Sequence, residues 1–175
     1  MSSPPLLTPF KVRDLVLKNR IVVSPMCQYS AVDGVVNDWH LVHLGRFAIG
    51  GAALVFVEAT GVEARGRISP GDVGLWNDEQ ARGLARIAEF LKANGAAAGI
   101  QLAHAGRKGS TRRPWDGGGE LGVEDAAKGE APWETLAPSA VKFADDYPMP
   151  KAMSTADMAE VIIAFREATR RAYDA

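Results

Sequence analysis

Three apolar runs, Arg20-Ile21-Val22-Val23, Ala53–Ala59 and Ala97–Leu102, constrain the fold of this chain more than anything else in it. Their aliphatic residues stand on consecutive positions rather than alternating ones, so each run reads as a strand covered on both faces. Each is followed by a loop rich in Gly, Pro or charge, and then by residues with helical spacing. The first helix starts at about Asp38, read as its N-cap, carries Trp39, Val42, Phe47 and Ile49, and stops at Gly50-Gly51. The second starts at about Asp78, sets Leu84, Ile87, Ala88 and Leu91 on one face and stops at Asn94-Gly95. The third, Met158 to about Tyr173, follows Ser154-Thr155-Ala156-Asp157, a capping-box pattern. Three strand-loop-helix units in succession predict a parallel α/β sheet.

The loops after strands are long, whereas those after helices, Gly50-Gly51-Ala52 and Asn94-Gly95-Ala96, are short. A (β/α)8 barrel carries its site on the loops at the C-terminal ends of its strands, so the asymmetry fits one. A doubly wound sheet shares it, but the G-x-G-x-x-G that usually follows its first strand is missing after Val23. The barrel is therefore the preferred architecture, preceded by a short strand and turn at Leu15–Asn19.

A length of 175 residues suits one domain, and 47% apolar content with 20 basic and 21 acidic residues suits a globular one. A net charge of −1 offers no field for nucleic acid or an anionic membrane. The N-terminus lacks a positively charged leader followed by a long apolar stretch, and no window holds 18 uninterrupted apolar residues, so the expected location is cytoplasmic. The single cysteine, Cys27, can form neither an internal disulfide nor a structural zinc site by itself.

That cysteine lies in "SPMCQYS", Ser24 to Ser30, where Pro25 ends the first strand. In a barrel, this segment shares one rim with Glu58-Ala59-Thr60 and with Gln101 to Lys108. A thioether (Met26), a thiol (Cys27), a phenol (Tyr29), a small residue (Ala59) and an amide (Gln101) suit a bed for a flat heteroaromatic ring better than a hydrolytic triad. The plainer alternatives are that Cys27 is a buried small hydrophobe, Met26 a core filler and Gln101 a loop tie. His40 and His43 stand at i, i+3 without a visible third ligand, so no metal site is expected. Glu58, inside an apolar strand, is either a catalytic base or the partner of Arg20 beneath the sheet, and the pairing is preferred. Arg65, Arg67, Arg107, Lys108, Arg112 and Arg113 are expected to be mostly solvated, with one or two meeting an anionic ligand or a neighbouring subunit.

The stretches "LLTPFKVRDLVLKNRIVVSPMCQYS", "VEATGVEARGRISPGDVGLWND" and "GIQLAHAGRK" resemble, in this order and spacing, the N-terminal half of the Old Yellow Enzyme family of FMN-dependent ene-reductases. Cys27, where other members carry Thr, resembles the bacterial cysteine-containing branch. The resemblance runs from about Leu6 to the end of the chain. It implies a (β/α)8 barrel, of which residues 1–175 supply a cap hairpin and the first three strand-helix units. It also implies non-covalent FMN, reduction by NADPH or NADH, and hydride transfer to the β-carbon of a small activated alkene. By the same resemblance Ser24, Pro25, Met26 and Cys27 line the flavin, Cys27 tunes it, Ala59 packs on it, Gln101 bonds its pyrimidine part and Tyr29 lies on the substrate side. Residues 104–153 correspond to a capping insertion, in which Trp115 and Trp133 either wall the entrance or only pack the cap.

A whole barrel needs about 250 residues. The family's substrate-binding His pair, proton-donating Tyr and phosphate-binding Arg and Gly-rich loop belong to later strands, and His40, His43 and His104 do not replace them. A homo-oligomer or a complementing C-terminal half is the expected partner. Two other readings stay open: a non-catalytic half-barrel, and a related barrel flavoenzyme acting on dienoyl thioesters or amines.

Overall fold

A computed structural model describes residues 4–175; residues 1–3, which open the segment read above for a leader, lie outside the described residues. β1 (Phe10–Val12) and β2 (Leu15–Leu17) form an antiparallel hairpin, of which only Leu17 is buried. There follow β3 (Val22–Val23), α1 (Asp38–Ile49), β4 (Leu54–Gly61), β5 (Val73–Gly74), α2 (Asp78–Ala93) and β6 (Ala97–Ala103). Beyond these lie α3 (Val123–Ala126), β7 (Leu136–Ala137), β8 (Lys151–Ala152) and α4 (Thr155–Asp174).

β3, β4 and β6 stand side by side, all parallel, with Val22 opposite Leu54 and Leu54 opposite Ala97. α1 makes the crossing from β3 to β4 and α2 the crossing from β4 to β6. β5 pairs only with the far end of β4, Thr60 opposite Val73, and so thickens the rim where the strands finish. Val55 and Val57 form one core with Leu44 and Ala48 of α1, Leu84, Ile87 and Leu91 of α2, and Ala168 of α4. Each fully buried aliphatic side chain contributes about 1.5–3 kcal/mol, so α2, which places three there, is the best anchored helix.

Of the four apolar residues that marked α1 in the sequence, only Phe47 packs against the core, and it is half-buried. Trp39, Val42 and Ile49 are exposed, and the inward stripe is His40, Leu44, Gly45 and Ala48. The cause is close packing on α2. A Cβ on Gly45 would come within 2.7 Å of the Phe90 ring, so small residues hold the contact and the bulky ones fall outside it. The N-cap is Asn37 rather than Asp38: its Oδ1 accepts the Trp39 amide at 3.0 Å while its Nδ2 donates to the Ser30 carbonyl at 2.7 Å. Asparagine can accept and donate at once, so the cap also ties the helix to the turn after β3.

The expected pairing of Glu58 with Arg20 does not form. The parallel register sets Val22 against Leu54, so Arg20 lies level with the start of β4 and Glu58 several residues further on, roughly 20 Å away. Arg20 instead donates to Thr8 Oγ1 at 3.4 Å and lies over the Phe10 ring. Solvation of the basic loop residues is corrected too: Arg65, Arg67, Arg112 and Arg113 are half-buried against carboxylates, rings or carbonyls, and only Arg107 and Lys108 are exposed.

Candidate functional site

One extra residue in β4 sets the geometry of the rim. Val57 pairs with Ile100, but Ala59, not Glu58, pairs with Gln101, so Glu58 is bulged out of the ladder. Strict alternation would have put Ala59 on the helix-covered side with Val55 and Val57. The bulge returns it to the other side, opposite Gln101. On that same side Val22, Ser24 and Met26 follow one another with the strand period, all exposed. Pro25 is half-buried on the alternate side, so it can meet a ligand on the Ser24 and Met26 face only through its backbone.

Beyond Met26 the chain turns across the rim and is fastened throughout. Glu58 Oε2 accepts the Gln28 amide at 2.8 Å, Gln28 Nε2 donates to the Met26 carbonyl at 2.9 Å, and Ser30 Oγ donates to the Gln28 carbonyl at 2.9 Å. Trp39 Nε1 donates to Gln28 Oε1 at 3.2 Å. Tyr29 sits in the left-handed region with φ 49°, which an aromatic residue adopts only when its surroundings impose it. Here Arg113 Nε donates to the Tyr29 carbonyl at 3.1 Å, and the chain passes against Gly71, where a Cβ would overlap that carbonyl. The Tyr29 ring meets Trp115 edge-on, centroids 5.6 Å apart.

The electrostatics keep the rim protonated. Burial, with the Asp72 and Glu58 carboxylates adding to it, pushes the Cys27 thiol up to about 11, only partly offset by the nearby Ala59 amide and Tyr29 hydroxyl. Burial and then Cys27 and Asp72 push the Tyr29 phenol up to about 12. Both are therefore neutral hydrogen-bonding groups at neutral pH rather than nucleophile and base. Asp72 is raised by burial, against bonds from the Ile68 and Ser69 amides and the Ser69 hydroxyl.

The two tryptophans of residues 104–153 divide the alternatives stated for them. Trp133 packs: Nε1 donates to the Arg65 carbonyl at 3.1 Å, and the Arg67 guanidinium lies 4.9 Å from its ring and 5.6 Å from that of Trp76. Trp115 stands at the rim on Tyr29 and is 63% exposed. His104 is fully occupied, with Nε2 2.8 Å from Glu63 Oε1 and Nδ1 accepting the Gly106 amide. His40 and His43 do not converge: His40 is buried between Asn37 and Glu58, while His43 lies by Arg46 and Phe47.

The structure thus gathers Ser24, Met26, Cys27, Tyr29, Ala59 and Gln101 at one rim, with Pro25 contributing backbone. These residues fit a flavin ring. Ala59 intrudes by one carbon only, Met26 offers exposed apolar surface, and the exposed Gln101 amide makes no hydrogen bond to a loop among the described residues, leaving donor and acceptor free for a heterocycle edge. Sequence reasoning missed Asp72 and Gly71, and grouped Arg113 with the mostly solvated loop cations rather than with Tyr29. The Ser69-Pro70-Gly71-Asp72 turn was a usable signal, since Asp and Ser there serve their own backbone; for Arg113 the sequence showed a loop cation but not its partner.

The family model described as NADH:flavin oxidoreductase / NADH oxidase matches residues 5–175. The chain belongs to this family. An NADPH dehydrogenase of Geobacillus thermodenitrificans is 44% identical over 169 residues, covering 95% of this chain and 44% of the relative. An NADH:flavin oxidoreductase of Gibberella zeae is 42% identical over 174 residues, 97% of this chain and 41% of the relative. The chain therefore spans less than half the length of these NADH:flavin oxidoreductase family members. Among solved structures, morphinone reductase superposes with a TM-score of 0.78 at 26% identity, over 99% of this chain and 46% of that one. The Old Yellow Enzyme of Pichia superposes at 0.79 with 21% identity, which speaks for the fold alone, over 98% and 43%. The three parallel strands, their helices and the hairpin are accordingly the N-terminal part of a (β/α)8 barrel of this family.

Proposed function

We propose that the protein is an FMN-dependent, NAD(P)H-consuming reductase of activated C=C bonds, with residues 1–175 forming one wall of its flavin site and residues 104–153 capping it. The chemistry FMN supplies when bound is hydride relay, from NADPH or NADH to the β-carbon of an alkene conjugated to a carbonyl. The observation that carries the reading is the register of Ala59 against Gln101, which sets a small residue and an unengaged amide on the face shared by Ser24 and Met26.

Each side chain has a task in this scheme. Gln101 holds the pyrimidine edge through its amide, Met26 and Ala59 pack the ring, and Ser24 with the Pro25 backbone supplies further polar contacts. Cys27, kept as a thiol, is a weak and polarisable donor beside the reactive edge and tunes it more gently than a hydroxyl. Tyr29, kept as a phenol, donates on the substrate side, with Trp115 behind it as an aromatic wall. The rest of the barrel, in the same or a separate chain, pairs at the open edges of β3 and β6, and homo-oligomerisation is compatible with this.

The test is to supply FMN, NADPH and cyclohexenone to the complete assembly and follow NADPH absorbance. Alkene-dependent oxidation is expected; none in the presence of bound flavin overturns the reading.

A further inference from the structure

Behind the rim lies a pair of side chains that the scheme above does not use. Glu58 is 3% exposed and His40 is 1% exposed. The bulge aims the Glu58 carboxylate away from the Ala59 and Gln101 face and under the turn after β3, where Oε2 accepts the Gln28 amide at 2.8 Å. Oε1 lies 3.7 Å from His40 Nε2, beyond hydrogen-bond length. His40 Nδ1 accepts the Asn37 amide at 3.1 Å, an arrangement that puts the neutral ring's proton on Nε2, and that buried N–H has no acceptor among the described residues. A donor without a partner and a carboxylate oxygen thus face each other across a gap that a small movement closes.

The ionisable groups around Glu58 come from three elements. His40 faces it from α1, with His43 beyond; Asp72 faces it from the loop before β5, with Arg67 beyond; Cys27 and Tyr29 face it from the turn itself. Among the described residues no Lys or Arg pairs with it.

We propose that Glu58 is a positioning residue: its carboxylate anchors the turn that carries Cys27 and Tyr29, and the negative charge it can carry behind that turn governs the reactivity of the Cys27 thiol. A charge placed there acts through a water-poor interior, where like charges interact far more strongly than in solvent. Burial pushes Glu58 up to about 7, opposed by the Gln28 amide, so the charge appears around neutral pH. His40, pushed down to about 4 by burial and then by His43, stays neutral meanwhile and offers Nε2–H to the carboxylate as it ionises. The consequence for a cofactor rests on the proposed flavin function; the effect on the thiol does not.

Iodoacetamide alkylation of Cys27, the only cysteine in residues 1–175, reports the thiol directly when the peptide carrying it is followed by mass spectrometry as a function of pH, with and without FMN. In the unaltered protein the logarithm of the rate should climb less than proportionally between about pH 6 and 8, because ionising Glu58 holds the thiolate back. Glu58→Gln keeps an acceptor for the Gln28 amide and removes the charge. It should straighten the curve and react on the order of 3- to 10-fold faster at the alkaline end. Superimposable profiles overturn the proposal, and so does a straight profile in the unaltered protein, which needs no variant to fold. With the complete assembly as the sample, flavin absorbance reports separately on FMN: its failure to bind there sinks the flavin reading and leaves the thiol result standing.

Discussion

Ala59 and Gln101 face each other across β4 and β6 because Glu58 is one residue too many in its strand. The proposed bed for a flat ring is therefore built by a register shift, and its floor at Ala59 is only a methyl group. Ala59→Leu should weaken FMN binding at least about tenfold in an absorbance titration, since the added carbons occupy the ring's plane. The melting temperature should move little, because Ala59 is half-exposed. Unchanged affinity would remove Ala59 from the site.

Gln101→Leu leaves strand and packing in place and deletes the amide. Flavin retention should fall or flavin reduction by NADPH should slow, seen by stopped-flow absorbance. Normal turnover with an unaltered flavin spectrum would show that the amide has no role.

Cys27→Thr exchanges a neutral, weakly donating thiol for a stronger donor. The midpoint potential of the bound flavin should shift by tens of millivolts, a change of roughly 1 kcal/mol for a two-electron couple. Spectroelectrochemical titration measures it, and an identical potential would reduce Cys27 to packing.

Gly71→Ala drives a methyl into the Tyr29 carbonyl. Overpacking against backbone typically costs about 1–3 kcal/mol, equivalent to a fall of roughly 4–8 °C in melting temperature for 2 kcal/mol in a chain of this size. Differential scanning fluorimetry decides it. A neutral substitution would mean that the turn is free to move, contrary to its left-handed Tyr29.

The buried pair also gives stability a pH signature. Glu58 holds its proton more tightly folded than unfolded, up to about 7 against 4.5, so its contribution falls as pH rises through that window. His40 is displaced the other way, about 4 against 6.5, so its contribution rises with pH between those values. The two oppose from about 4.5 to 6.5, and Glu58 acts alone from there to about 7. The stability of Glu58→Gln relative to the unaltered protein should therefore grow with pH across 4.5 to 7, by on the order of 2–3 kcal/mol. A difference that stays constant with pH would refute the assignment.

Much of this was legible in the sequence, for physical reasons that differ between elements. β3, β4 and β6 announced themselves through consecutive apolar residues between turn signals, although only their helix-covered face is buried here and Val22 and Gln101 stand exposed on the other; α2 did so because its buried leucines and isoleucine repeat at helical spacing. α1 misled because it packs through Gly45 and Ala48, and small residues leave no hydrophobic signature. The rim residues could be gathered because strand ends in a parallel barrel share one edge. The role of Glu58 could not: a bulge changes the face of every residue after it, and nothing local in "VEAT" declares one. Pairing with Arg20 was excluded only by register.

Arg113 and Trp115 reach from the segment after β6 to grip the backbone and ring of Tyr29, two positions from Cys27. The segment after β6 and the turn after β3 are thus fastened to each other. Exchanging that segment for another would therefore unseat the backbone and ring of Tyr29 and disturb the turn that carries Cys27.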